Sequence, residues 1–229
     1  MNRLISALLL LNILSVSLPA YADNVSKTRE LVDNATASVK NFTSDPDMTY
    51  LRRHLGAAEG LLIIPSMVKG AFIVGGSGGS GVLLAKGKNK QWSSPAFYTM
   101  GSGSIGFQWG GEVSEIILMV MTQNGMDHLM SSSFKLGADA SVAAGPTGVG
   151  SKAQTADILA YSRTKGVYAG FSLEGAVVSV RPEYNTAYYG KAVRPLEILA
   201  TRSVSSPHAD KLRQSVADMI ADASKQSSQ

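Results

Sequence analysis

Three pairs stand at the spacing Ser-x-x-Lys: Ser66/Lys69, Ser132/Lys135 and Ser162/Lys165. In penicillin-recognising serine enzymes a lysine at that spacing helps to activate the serine for acyl transfer. With 29 serines and 12 lysines in 229 residues, about one or two such pairs arise by chance, and the companion Ser-Asp-Asn and Lys-Thr-Gly elements are missing. Gly101-Ser102-Gly103-Ser104 reads as a turn rather than a nucleophile elbow. Gly76-Ser77-Gly78-Gly79-Ser80-Gly81 matches G-x-G-x-x-G, which cradles a pyrophosphate only where a helix starts at the glycines. Val82-Leu83-Leu84-Ala85 follows as a strand, so this run reads as a tight turn or a close approach of strands. His54, His128 and His208 are the only histidines, each alone in a helical segment, whereas metal and triad chemistry needs convergent ligands. Cysteine is absent, which removes thiol catalysis, thiolate metal sites and disulfides. These residues point away from an enzyme and imply no cofactor and no metal.

Charge carries more information. Between Glu59 and Glu112 there is no carboxylate, while Lys69, Lys86, Lys88 and Lys90 fall in that interval and Arg52-Arg53 lies just upstream. In an extended chain Lys86, Lys88 and Lys90 share one face. Arg52, Arg53, Lys69, Lys86, Lys88 and Lys90 are therefore the candidate residues for anionic lipid head groups, each contributing about 1 kcal/mol near a charged surface. The alternative is a solvated hairpin tip whose lysines deter edge pairing. Basic residues interleaved with aromatics are lacking, which argues against nucleic acid.

The elements that must position these residues can be read from periodicity. Arg3, an apolar run from Leu4 to Leu18 and Ala20-Tyr21-Ala22 have the pattern of a signal peptide cleaved after Ala22, with the product periplasmic or secreted. Lys27–Phe42 places Leu31, Ala35, Val39 and Phe42 on one helical face. Ser44-Asp45-Pro46-Asp47 then caps a second helix, with Met48, Leu51 and Leu55 inward and Arg52, Arg53 and Glu59 wet. From Leu61 to Val180 short β-type runs alternate with glycine: Leu61–Ile64, Ala71–Val74, Gly81–Ala85, Ser104–Trp109, Val113–Met121, Lys135–Val142, Ile158–Tyr161, Val167–Leu173 and Ala176–Val180. One helix interrupts them, capped by Thr122 and running to Met130, and helices return at Pro182–Tyr189, Pro195–Leu199 and Pro207–Ala223. Hydrophobic residues at 45%, charged residues at 17% and a mean hydropathy of +0.07 exclude a disordered chain. The fold class expected is α+β, a mainly antiparallel β-sheet or sandwich-like core flanked by N- and C-terminal helices. Beyond a leader at 1–22, residues 23–60 and 61–224 form a single domain.

Several ordered pieces then resemble one family. Ile64-Pro65-Ser66-Met67-Val68-Lys69-Gly70 leads to Gly75-Gly76 and Gly79-Ser80-Gly81-Val82-Leu83-Leu84. Trp92-Ser93-Ser94-Pro95-Ala96-Phe97-Tyr98, Ser104-Ile105-Gly106-Phe107-Gln108 and Lys135-Leu136-Gly137-Ala138-Asp139 follow. The series closes with Lys165-Gly166-Val167-Tyr168, Ser172-Leu173-Glu174-Gly175 and Tyr188-Tyr189-Gly190-Lys191. Together they resemble the SYLF lipid-binding domain over roughly Leu55 to Leu199. The resemblance implies a non-enzymatic domain that contacts membrane lipid, phosphoinositide in eukaryotic relatives, some of which also bind actin. Export substitutes phospholipid of a bacterial envelope and argues against actin. An envelope module that binds a protein partner and no lipid is the other reading.

Overall fold

The computed structural model describes residues 17–71, 74–105, 110–145, 155–164 and 173–226. Helix α1 (Ser17–Ser44) buries Thr28, Val32, Ala35, Val39 and Phe42, a stripe at intervals of three and four. Val32, Val39 and Phe42, buried there, each contribute roughly 1.5–3 kcal/mol. Asp45 ends the helix and starts the next turn: its side chain accepts from Asp47 N–H at 3.0 Å and opens a 3-10 turn at Pro46–Met48. Helix α2 (Thr49–Leu55) follows, with Leu51 and Leu55 fully buried.

The centre is one eight-stranded sheet in the order β5-β8-β3-β2-β1-β4-β7-β6. Its strands are β1 (Gly60–Ala71), β2 (Val74–Ala85), β3 (Ala96–Ile105), β4 (Gly110–Val120), β5 (Ser133–Lys135), β6 (Val142–Ala144), β7 (Ile158–Thr164) and β8 (Val177–Val180). All neighbours are antiparallel except β6 and β7, which run parallel. Helix α3 (Gln123–Met130) precedes β5, with Thr122 Oγ1 accepting from Gly125 N–H at 3.1 Å. Helices α4 (Pro182–Tyr189), α5 (Pro195–Leu199) and, after a 3-10 turn at Pro207–Ala209, α6 (Asp210–Gln226) complete the chain. Gly190 ends α4 with φ of 72°, a left-handed cap that glycine adopts at no steric cost.

The sheet carries core on both faces. One face sets Leu61, Ile63, Val82, Leu84, Phe97, Ile117 and Met119 against α1, α2 and α6. The other sets Leu62, Ile64, Leu83, Tyr98, Leu118 and Val178 against α3, α5 and the turns at Leu136–Ala140 and Leu173–Ala176. The α+β class is as expected, and the core is one sheet rather than a sandwich.

Several expected boundaries are corrected. β1 and β2 are long strands in which the glycine-rich run 76–81 is paired throughout, so it is no turn. Its glycines serve close approach: a Cβ on Gly79 would lie 2.5 Å from Ser66 O, and one on Gly81 2.6 Å from Ile63 O. The cause is a bulge in β1 around Pro65, which has no N–H to give the ladder. Of the expected strand Ala71–Val74, Ala71 closes β1 and Val74 opens β2, and residues 72–73 lie outside the described residues. Gly101–Ser104 belongs to β3, and Lys135–Val142 contains a turn, closed by Asp139 N–H donating to Lys135 O. Most of the expected strands Val167–Leu173 and Ser104–Trp109 lies outside the described residues.

Candidate functional site

The basic residues do not gather as one patch. The β2–β3 connection begins at Lys86, which bridges to Trp92, and closes by Gly87 N–H to Gln91 O at 2.9 Å and Lys90 N–H to Gly87 O at 2.8 Å. This is a tight turn rather than an extended segment, so Lys86, Lys88 and Lys90 do not share a face as expected. Lys86 turns back and donates from Nζ to the carbonyl of Gly56 at 2.9 Å, while Lys88 and Lys90 stay exposed. That bond brings the end of α2, with exposed Arg53 three residues before Gly56, beside the loop. Glu59 adjoins this group, its carbonyl accepting from Lys86 N–H.

Arg52, next in sequence to Arg53, does something else. It is only 8% exposed. Nη1 donates to the carbonyls of Phe42, Thr43 and Asp45, and Nη2 donates to Thr49 Oγ1 at 3.0 Å. Phe42 and Thr43 stand in the last turn of α1, whose carbonyls have no partner within their own helix, and Asp45, just beyond it, also accepts from Met48 N–H. The guanidinium caps α1 and is not free for phosphate, which corrects the expectation that Arg52 stays wet. Lys69 lies near the far end of β1, in register with Glu112 on one side and Ser77 on the other. From Gly60, beside the basic loop, that is nine residues along a strand, roughly 30 Å at about 3.3 Å per residue. Arg53, Lys86, Lys88 and Lys90 thus stand together, and Arg52 and Lys69 do not join them.

Sequence reasoning missed the residue that holds this end together. Arg202 Nη2 donates to Gln91 O at 2.7 Å and to Ala85 O at 3.4 Å, clamping both stems of the loop. A Cβ on Gly87 would collide with that guanidinium. Lys90 and Arg202 have φ of 61° and 53°, the non-glycine positive values among the described residues, so the junction holds two left-handed residues in place. Nothing local marks Arg202, because its partners lie more than a hundred positions away in sequence. Also unforeseen is an uncovered strip on the α1 side of the sheet. Val68, Val113 and Val177 are exposed by 52%, 44% and 41%, with Gly78 and Gly101 between them in register.

The residues first considered for chemistry are dispersed. Ser66 and Lys69, three apart on a strand, point to opposite faces. The Lys135 N–H is held by the Asp139 carboxylate at 2.6 Å, and Lys165 lies outside the described residues. His54 stacks on Tyr50, His128 packs near Phe134, and His208 Nδ1 lies 3.2 Å from the Tyr188 hydroxyl. Among the described residues no three His, Asp or Glu side chains converge on a site of metal size, and no helix is long and apolar enough to cross a membrane.

A family model described as "Ysc84: Las17-binding protein actin regulator" matches residues 101–219, just over half the chain. The chain belongs to this Ysc84, or SYLF, family. The Ysc84-family relatives include LAS seventeen-binding protein 3 of Saccharomyces cerevisiae, 33% identical over 69% of this chain and 36% of that protein. SH3 domain-containing YSC84-like protein 1 of Bos taurus is 31% identical over 76% of this chain and 54% of that protein, and its human counterpart is 29% identical over the same shares. The chain therefore spans between about a third and a half of the length of these relatives. Their names describe binding proteins and regulators rather than enzymes. The expectation that actin is an unlikely partner, drawn from export, is overturned, because the family description itself is of an actin regulator.

Proposed function

We propose that this chain is a non-catalytic docking domain that contacts anionic phospholipid through the end of the sheet formed by Arg53, Lys86, Lys88 and Lys90. The observation that carries the reading is the clamped loop: Lys86 tied to Gly56 beside Arg53, with Lys88 and Lys90 exposed, on backbone that Arg202 holds in shape. At about 1 kcal/mol per cation near an anionic surface, binding is weak and salt-sensitive. Co-sedimentation with phosphatidylglycerol and with phosphatidylcholine vesicles at low and high salt tests it. Binding confined to the anionic vesicles at low salt, falling roughly tenfold or more in the Lys88→Glu/Lys90→Glu variant, is expected. Equal binding to both vesicles, or none, overturns it.

We propose too that the protein is exported, periplasmic or secreted, with Met1–Ala22 removed. Support comes from the leader pattern and from the exposure of Tyr21, Ala22 and Asp23, so that the buried stripe of α1 starts at Thr28. The N-terminal sequence of the protein recovered from its native source checks this.

A second reading has a finding of its own behind it. The family description supports a role in actin regulation through a protein partner. Co-sedimentation with actin filaments in the absence of lipid tests that reading, and pelleting that persists in the Lys88→Glu/Lys90→Glu variant would place the two contacts on different surfaces.

A further inference from the structure

Away from the basic loop, the chain between α3 and β5, the end of β8 and the start of α5 enclose a cleft of about 330 Å³. Its apolar lining comes from Met130, Val180, Pro182, Val193, Pro195 and Leu196, and no carboxylate lines it. The polar wall is Ser131, Ser132 and Arg194. Leu196 is 46% exposed, a large apolar side chain left at the rim. Arg194 reaches out into water: its side chain is 78% exposed, and its Nε pairs with Glu197 at 3.3 Å, which leaves the Nη edge open. An exposed pair of that kind holds its partner weakly.

We infer that this cleft takes the single aliphatic chain of a fatty carboxylate, with Arg194 facing the acid group. Size selects one chain, because about 330 Å³ lies at the small end of the roughly 300–1,000 Å³ range of small-molecule sites. Charge selects the end group: the guanidinium, which Glu197 holds only at Nε, matches a carboxylate in bidentate fashion, and the lining itself carries no acid. Continuity with the basic end adds a third argument. Three residues after α5, Arg202 is bonded to the stems of the Lys86–Gln91 loop, so the wall of the cleft and the cationic loop are mechanically joined. The inference rests on the reading of the chain as a lipid-contacting domain and gives that reading a second, hydrocarbon contact.

The test is calorimetric titration of the intact chain with saturated fatty acids from hexanoate to dodecanoate, below their micelle concentrations. Affinity should tighten roughly three- to fourfold per added methylene and level off once the cleft is full. Arg194→Gln should weaken dodecanoate about tenfold and leave dodecanol unchanged. Leu196→Trp, at a half-exposed position on the rim, should block the chain. Amide resonance shifts should fall on Met130, Ser131, Ser132, Val180, Val193, Arg194 and Leu196. No chain-length dependence, unchanged binding by Leu196→Trp, or shifts confined to another surface, as for a protein-docking groove, each overturn the inference. Vesicle binding separates the two claims: Lys88→Glu/Lys90→Glu should lose vesicles and keep dodecanoate. Failure of vesicle binding alone sinks the docking proposal, and failure of dodecanoate alone sinks the cleft.

Discussion

Two adjacent arginines show how far a residue's role depends on which side of a helix it occupies. Arg52 spends its donors on the carbonyls that end α1, while Arg53 faces water. Arg52→Ala removes the donor from the Phe42 and Thr43 carbonyls and should cost about 2–3 kcal/mol in denaturant unfolding, with vesicle binding per folded molecule unchanged. Arg53→Ala should do the reverse, weakening vesicle binding and moving stability by less than about 0.5 kcal/mol. Asp157 offers a pH reading. Hydrogen bonds from Thr122, and secondly from Ser141, hold its carboxyl down to about 2 from an ordinary 3.8, against the opposing pull of burial. The folded value lies below the unfolded one, so the stabilisation is complete above pH 3.8 and is lost as pH falls through about 2. Unfolding of wild type and Asp157→Asn followed from pH 6 to pH 2 should show a stability gap that closes across that window. A gap independent of pH would assign the contribution to packing instead.

At the scale of elements, most helices could be read from the chain because their signals are local. Asp45, Thr122, Pro182, Gly190 and Pro195 sit at caps and first turns as their chemistry demands, and Val39 and Phe42 keep the period of α1. The strands were harder. Gly76–Gly81 looks like a turn by composition, yet it lies in a strand because the bulge at Pro65 pushes the neighbouring backbone too close for side chains. The contrast can be measured. Gly81→Ala should cost about 1–3 kcal/mol through overpacking against a carbonyl oxygen that cannot retreat. At Gly78 a Cβ meets nothing nearer than Met100 O at 3.9 Å, so Gly78→Ala should be neutral within about 0.5 kcal/mol. The candidate site was half legible for the same reason. Lys88 and Lys90 advertise themselves, whereas register sets Lys69 apart and only tertiary structure delivers Arg202.

Across the whole molecule, Arg163 fastens the helical layer to the sheet. From β7 it pairs with Asp45 and Glu115, each at 2.7 Å, and lies over the Phe42 ring; Glu115 in turn accepts from Ser38 and Asn41 of α1. Arg163→Ala should leave two half-buried carboxylates without their cation and cost about 3 kcal/mol, with hydrogen exchange quickening first in the last turns of α1.

The two-pronged grip of Arg202 has one more consequence. Lys86-Gly87-Lys88-Asn89-Lys90 is the kind of exposed stretch trypsin finds first, yet the residues on either side of it, Ala85 and Gln91, hang from the same guanidinium. A single cut after Lys88 would therefore yield two fragments on a denaturing gel that still travel as one particle under native conditions.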